Sequence, residues 1–113
     1  MSDSRKADLK DEETLNILKK IGESPSVTQR ELSSQLGISL GKVNYIIKSL
    51  INKGLLKTNS FKKSDNKTAY LYLLTPHGLE EKVRITYRFF KWKMDEYDRL
   101  KKEIEQLKKE IQQ

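Results

Sequence analysis

The chain has 113 residues, of which 35% are hydrophobic and 35% are charged, and its formal net charge is +7. This length allows one domain plus an appendage, and so few apolar residues predict a thin core that a partner chain completes. The basic balance favours an anionic partner, such as nucleic acid or an acidic membrane surface.

Several classes of protein are excluded by what the sequence lacks. With no cysteine there is no disulfide framework, thiol nucleophile or zinc ribbon. The absence of an 18-residue apolar run and the polar start at Met1–Lys10 predict a cytoplasmic protein with no membrane partner. One histidine, no glycine-rich phosphate loop and no convergent carboxylate pair predict a non-enzyme that binds no cofactor and no metal.

The chain begins with a segment that we predict to be disordered, residues 1–7. A helix should follow over Asp8–Ile21, because acidic residues near its start favour the positive end of the helix dipole. Gly22, Ser24, Pro25 and Ser26 end it.

Two short helices are predicted within Val27–Lys53. Thr28 and Glu31 have the spacing of a capping box, in which the hydroxyl accepts from a first-turn amide and the carboxylate reaches back to the cap N–H. Gly37 supplies the left-handed residue that ends this helix, and Ser39 caps the next one. The pair has the pattern of a helix-turn-helix, with an ordinary αα-hairpin as the alternative.

The second helix of the pair is amphipathic. Its apolar stripe consists of Val43, Ile46, Ile47, Leu50 and Ile51. Its opposite face carries amide, hydroxyl, phenol and lysine groups: Gly41, Lys42, Asn44, Tyr45, Lys48, Ser49 and Asn52. Such a front suits the DNA major groove, so this helix is the predicted recognition helix.

A β-hairpin is predicted after this helix, with strands at Leu55–Phe61 and Thr68–Leu74 and a polar connection. Seven lysines against one acid fall between Gly41 and Lys67, which concentrates the basic charge on the recognition helix and the hairpin. Three helices followed by a basic hairpin describe a winged helix, whose wing lysines would reach phosphates or the minor groove. A merely solvated hairpin tip is the alternative.

The last element is predicted to be one helix of about 37 residues, capped by Thr75 and running towards Gln113. Its second half has a heptad pattern, with Tyr97, Ile104 and Ile111 at position a and Leu100 and Leu107 at position d. Isoleucine at a with leucine at d favours a parallel two-stranded coiled coil. In that orientation Glu96 meets Lys101 of the second chain and Glu103 meets Lys108. The alternative is an amphipathic helix that folds back on its own domain.

Upstream, this helix has two apolar rows: Val83, Tyr87, Phe90 and Met94 form one, and Ile85, Phe89 and Trp92 form the other. We expect the winged domain to bury one row and the partner chain the other. An aromatic ligand pocket is the less favoured interpretation. His77, at the start of the helix, is expected to be a surface residue.

The run from about Leu15 to Gly78 resembles the winged-helix domain of the MarR family of bacterial transcriptional regulators. The resemblance is carried by LSSQLGIS at 32–39, by Lys53-Gly54-Leu55, by Asp65-Asn66-Lys67 and by Thr75-Pro76-His77-Gly78. With its aromatic segment and coiled tail, the whole chain is similar to the small subgroup associated with exopolysaccharide gene clusters. PadR-like regulators, which dimerise through a C-terminal helix, are a second resemblance.

The resemblance implies a homodimer on a palindromic promoter site, with the helix from Ser39 in the major groove and the wing at the flanks. Two positions depart from the family pattern. Tyr45 stands where arginine is frequent, and the wing has Asp65-Asn66-Lys67 instead of an Asp-x-Arg pair. Base preference therefore does not transfer, because a lysine is a point charge and not a bidentate fork.

Together these features predict a mainly α protein with a small β-hairpin (α+β): a disordered segment (1–7), a winged helix-turn-helix (8–78) and a dimerisation helix (79–113). The predicted partner is double-stranded DNA, bound by Thr28, Arg30, Ser34, Ser39, Lys42, Asn44, Tyr45, Lys48, Ser49, Lys62, Lys63, Asn66 and Lys67. The predicted dimer contacts of the parallel C-terminal helices are Phe90, Tyr97, Leu100, Ile104, Leu107 and Ile111. The alternative function is a winged-helix interaction module that docks an acidic protein.

Overall fold

The computed structural model describes the backbone of residues 2–62 and 68–112, and the side chains of residues 11–60 and 70–112. Six elements follow in chain order: α1 (Ser2–Glu23), α2 (Gln29–Leu36), α3 (Leu40–Asn52), β1 (Leu56–Lys62), β2 (Thr68–Leu74) and α4 (Pro76–Gln112). The predicted α+β fold, with a winged helix-turn-helix and a long C-terminal helix, is confirmed.

Helix α1 is longer than predicted. Its backbone is helical from Ser2, which corrects the predicted disorder of residues 2–7. Arg5, Lys6, Ala7, Leu9 and Lys10 are good helix formers, and a nucleated helix extends at little cost.

The core lies where α1, α2, α3 and the base of the hairpin meet. Leu15, Ile17, Leu18 and Ile21 of α1 are buried in this cluster, in which α1 also packs against α4 and β2. In α3 the predicted stripe is confirmed, since Val43, Ile46, Ile47 and Leu50 are buried and Ile51 is partly buried.

The turn between α2 and α3 has the predicted caps. The Thr28 hydroxyl accepts from the Glu31 N–H at 3.1 Å, and the Ser39 hydroxyl accepts from the Lys42 N–H at 3.1 Å. Gly37 has φ of 68°, in the left-handed region. One detail differs: the Glu31 carboxylate accepts from the Thr28 hydroxyl at 3.1 Å and not from its backbone N–H.

Helix α3 ends in a Schellman motif at Gly54, whose φ is 74°. The Gly54 N–H donates to the Ile51 carbonyl, and the Leu55 N–H donates to the Leu50 carbonyl at 2.9 Å. The chain then enters the two-stranded antiparallel sheet, in which Leu56 pairs with Leu74 and Thr58 with Tyr72.

Thr75 joins the end of the hairpin to both α3 and α4. Its buried hydroxyl accepts from the Gly78 N–H at 2.9 Å and donates to the Gly54 carbonyl at 2.7 Å. A Cβ on Gly78 would lie 1.9 Å from the Leu55 carbonyl oxygen, so α4 can approach this closely only with glycine there. The Lys-Gly-Leu and Thr-Pro-x-Gly segments are therefore in direct contact.

Helix α4 has 37 residues, as predicted, and extends the molecule to 72 Å in its longest dimension. Ile85 is buried in the domain core, Phe89 packs against that core, and from Lys93 to Gln112 every side chain is exposed. The helix therefore projects from its domain, and the alternative in which it folds back is not what the structure has. Within the described residues, no helix has both the length and the apolarity to cross a bilayer.

Candidate nucleic-acid interface

The outer surface of α3 is built as the amphipathic pattern requires. The buried stripe points into the core, so Gly41, Tyr45, Lys48 and Asn52 lie on the exposed side. Tyr45 is 66% exposed, which leaves its ring and hydroxyl accessible to a ligand. A helix with a fixed apolar back and a polar front of this size fits the width of the DNA major groove.

Lys42 is less available than predicted. Its ammonium lies 2.9 Å from the Glu13 carboxylate of α1, and its side chain is 52% exposed. The second carboxylate oxygen of Glu13 is buried with no hydrogen-bond partner among the described atoms. The Lys42 ammonium is therefore held towards α1, at the edge of the α3 surface and not at its centre.

Asn44 is half-buried and already hydrogen-bonded. Its Nδ2 donates to the Gln29 Oε1 at 3.1 Å, and the Gln29 Nε2 donates to the Tyr72 hydroxyl at 3.3 Å. Gln29 begins α2 and Tyr72 lies in β2, so this chain of hydrogen bonds connects the recognition helix, the preceding helix and the hairpin. The sequence analysis missed Gln29 and Glu13, because partners 15 and 29 residues away have no periodic signal.

The start of α2 lies beside the first turns of α3. Thr28, Gln29 and Arg30 face Leu40, Gly41 and Asn44 across an open groove of about 570 Å³. Arg30, Ser34 and Ser39 are exposed, as a role in phosphate binding requires, although the Ser39 and Thr28 hydroxyls also cap their helices. In a helix-turn-helix these two helix starts are the parts that approach the sugar-phosphate backbone and the base edges.

Ser49 lies on the other flank of α3. It is half-buried and, with Tyr45, borders a cleft of about 470 Å³ between α1, α3 and α4. The remaining lining is Asp11, Thr14, Ile46, Leu50, Lys53, Leu55, His77, Glu81, Ile85 and Arg88. The aromatic residues Phe89 and Trp92 are not part of it; their rings pack together at 5.7 Å, with Lys93 over both.

The predicted site also includes four residues of the wing. Lys63, Asn66 and Lys67 lie outside the described residues, and for Lys62 only the backbone, in β1, is described. The hairpin lies on the same side of the core as the α2–α3 groove, because the Tyr72 hydroxyl of β2 accepts a hydrogen bond from the Gln29 side chain of α2.

The six predicted dimer residues are all exposed: Phe90, Tyr97, Leu100, Ile104, Leu107 and Ile111. They belong to a longer row of exposed apolar side chains that starts at Leu79 and includes Val83, Tyr87 and Met94. This row, the α4 stripe, spans about 48 Å at 1.5 Å per residue. In a single chain the α4 stripe is exposed to solvent.

Ion pairs attach α4 to α1 at the base of the stripe. The Arg88 guanidinium lies 3.2 Å from the Asp11 carboxylate and 4.0 Å from that of Glu81, and Arg84 pairs with Glu81 at 2.9 Å. Among the described residues, no group of three histidine, aspartate or glutamate side chains could hold a metal ion.

Comparison with known proteins agrees with this geometry. Residues 8–57 match a family model described as winged helix-turn-helix DNA-binding. A comparison of the whole sequence with curated proteins found no significant match.

Three solved structures show the same fold. A point mutant of MepR from S. aureus is 20% identical, with a TM-score of 0.61 over 97% of this chain and 85% of its own. The adhesin competence repressor AdcR from Streptococcus pyogenes is 25% identical, with a TM-score of 0.55 over 78% of this chain and 63% of its own. The PcaV transcriptional regulator from Streptomyces coelicolor is 20% identical, with a TM-score of 0.56 over 69% of this chain and 54% of its own.

The chain thus spans less than two-thirds of the length of AdcR and of PcaV. The family model describes a DNA-binding domain, and the similar structures include a transcriptional regulator and a repressor. The fold is therefore a winged helix-turn-helix, and its residues 8–57 are similar to a family of DNA-binding domains.

Proposed function

We propose that the chain is a sequence-specific transcriptional regulator that binds a palindromic site on double-stranded DNA as a homodimer. The observation that carries this is the polar, exposed surface of α3, with Tyr45 and Lys48 accessible beside the start of α2 in a winged helix-turn-helix. We assign base-edge contacts to Tyr45, Asn44 and Lys48, and phosphate contacts to Arg30, Ser34 and the wing lysines. Such a regulator acts in the cytoplasm, where its DNA is.

We include Lys42 in the proposed interface as a phosphate contact. Because Glu13 holds its ammonium 2.9 Å away, on the α1 side, a phosphate contact at the groove edge fits its position better than a base contact.

The homodimer is part of the proposal, and the α4 stripe supports it. In proteins a helix gains most of its stability from packing an apolar face, and from Lys93 onwards the side chains of α4 are exposed among the described residues. A parallel pair of α4 helices would bury this stripe and would place two copies of α3 about one DNA turn, 34 Å, apart. The similarity of the aromatic segment and coiled tail to the exopolysaccharide-associated subgroup extends the proposal to genes of that kind.

The test is a selection of bound sites from random double-stranded DNA, followed by footprinting and by titration at several salt concentrations. We expect a two-fold symmetric site of two half-sites. If a dimer neutralises about eight phosphates, log affinity falls with log salt at a slope near −7.

A flat salt response with no enriched sequence would reject the proposal. In that case the docking of an acidic protein is the remaining function. The double variant Tyr45→Glu/Lys48→Glu distinguishes the two, since it abolishes DNA binding but spares a docking surface on another face.

A further inference from the structure

Gln29 makes a contact that the proposed function does not require. It lies at the start of α2, where its side-chain oxygen accepts from the Asn44 amide at 3.1 Å and its nitrogen donates to the Tyr72 hydroxyl at 3.3 Å. Tyr72 is 7% exposed, and its own N–H donates to the Pro25 carbonyl at 2.9 Å. Gln29 is therefore hydrogen-bonded to a buried side chain.

The hydrogen bond from Asn44 Nδ2 to Gln29 Oε1 turns the Asn44 amide with its nitrogen towards α2. A primary amide has two N–H donors and one oxygen, and the two ends have nearly the same shape. Because one N–H is used by Gln29, the nitrogen end of Asn44 is fixed on the α2 side. The remaining N–H and Oδ1 are left for whatever enters the groove between α2 and α3.

We propose that Gln29 is a positioning residue that orients Asn44 to read one adenine in each half-site. Adenine presents an acceptor, N7, next to a donor, the N6 amino group, on its major-groove edge. A free N–H beside a free amide oxygen is the complement of that pair. Cytosine offers only the donor and guanine two acceptors, so neither satisfies both atoms of Asn44.

The inference rests on the proposed function, because it assumes that α3 enters the major groove. The inference goes beyond the proposed function in two ways. It assigns a role to Gln29, which is not among the predicted DNA contacts, and it names adenine as the base that Gln29 selects through Asn44. A free asparagine could turn its amide over and accept other bases, at the cost of the ordering that binding then imposes.

The experiment compares base preferences of four variants with those of the wild-type chain on a randomised DNA library, read as relative affinity at every position. Asn44→Ala identifies the position that Asn44 reads. Gln29→Met has nearly the shape of glutamine but cannot hydrogen-bond. Gln29→Glu keeps an acceptor for Asn44 and can itself accept from Tyr72. Arg30→Met is the matched control, as it lies next in α2 and faces the same groove.

We expect wild-type protein to prefer adenine at that position by at least about fivefold over each other base. Gln29→Met should lose this preference while the other positions keep theirs. Gln29→Glu should bind more weakly overall, because it adds a negative charge near phosphates, yet retain the adenine preference. Arg30→Met should weaken binding to all sequences alike.

Two outcomes would overturn the inference: an unchanged adenine preference in Gln29→Met, or a preferred base other than adenine at the position that Asn44→Ala identifies. Thermal unfolding of each variant, together with Tyr72→Phe as a second way to release Gln29, separates a change of orientation from a loss of folding. A wild-type chain that enriches no site rejects the proposed function instead, and is distinguishable because no position then shows a preference.

Discussion

At the scale of single residues, the polar side chains of α3 differ in whether they already have a partner within the chain. Lys48 is exposed, whereas Lys42 is paired with Glu13 and Asn44 with Gln29. A charge that is already neutralised by a neighbour adds less to DNA binding than a free one. The two lysines of this helix should therefore behave differently when they are removed.

Lys48→Ala tests the free lysine. We expect it to weaken binding to the selected site more than binding to unrelated DNA, since a base contact contributes about 1–3 kcal/mol of discrimination. Fluorescence anisotropy with both DNA sequences measures this. Lys109→Ala in the projecting part of α4 is the control for net charge and should leave both affinities nearly unchanged. Equal losses on both sequences would make Lys48 a phosphate contact.

Glu13→Gln tests the paired lysine. Removing this carboxylate releases the Lys42 ammonium and deletes a negative charge from the side of the domain that we propose to face DNA. We expect affinity for both specific and unrelated DNA to rise. The neighbouring Glu12→Gln carries the same charge change with no ion pair among the described residues, and should raise affinity less. The same anisotropy titrations measure both, and equal gains would mean that the pair with Lys42 does not matter.

At the scale of elements, the junction of α3, the hairpin and α4 depends on close backbone contact. Gly54 turns the chain, Thr75 caps α4 and donates to the Gly54 carbonyl, and Gly78 lets α4 meet Leu55. The start of α4 is thus attached to the end of the recognition helix, so the direction of the projecting helix is set by the winged domain.

Gly78→Ala should destabilise the domain, because the added Cβ would lie 1.9 Å from a backbone oxygen that cannot move without displacing β1. Overpacking of this kind costs about 1–3 kcal/mol. Urea unfolding measures the change. Gly41→Ala is the control, since its Cβ meets nothing within 4 Å and its helix should gain about 0.5–1 kcal/mol. A Gly78→Ala protein as stable as the wild type would show that the junction can relax.

At the scale of the whole molecule, the α4 stripe is a long row of apolar side chains that a single chain leaves exposed. Ile104 belongs to the part of the stripe that projects from the winged domain, and its side chain is 45% exposed in the single chain. A charge there would be buried in a dimer and solvated in a monomer. Dimerisation and tight binding to a two-fold site should therefore be lost together.

Ile104→Glu should produce a monomer in sedimentation at micromolar concentration, with much weaker binding to the full palindrome and unchanged binding to a half-site. Lys109→Glu alters charge on the outer face of the same helix and should remain dimeric. A monomeric wild-type chain, or a dimeric Ile104→Glu, would remove the α4 stripe from the proposed interface.

The orientation of the two helices has a separate test, because the chain contains no cysteine. In a parallel coil the two copies of residue 107 face each other across the axis, so Leu107→Cys should form an intermolecular disulfide under mild oxidation. Lys109→Cys, on the outer face, should not. If Leu107→Cys stays uncrosslinked in a protein that is dimeric by sedimentation, the parallel arrangement is wrong.

Local patterns in the sequence were enough to predict much of this molecule. The caps at Thr28 and Ser39, the left-handed turn at Gly37, the apolar back of α3 and the uninterrupted α4 each depend on residues within a few positions of one another. Backbone geometry and side-chain periodicity decide such features, and both can be read from neighbouring residues. Two local predictions failed: disorder before Asp8, where good helix formers extend α1, and the partner of the Glu31 carboxylate, which is the Thr28 hydroxyl and not the Thr28 N–H.

Only the tertiary structure decided which groups of the predicted surface are already engaged. Glu13 meets Lys42 across 29 positions, Gln29 lies between Asn44 and Tyr72, and Gly78 touches the Leu55 backbone. These contacts join residues that are distant in sequence, so they depend on how the helices and the hairpin pack together. The sequence by itself determined the elements and the polar character of the α3 surface; packing determined which of its side chains are free to meet DNA.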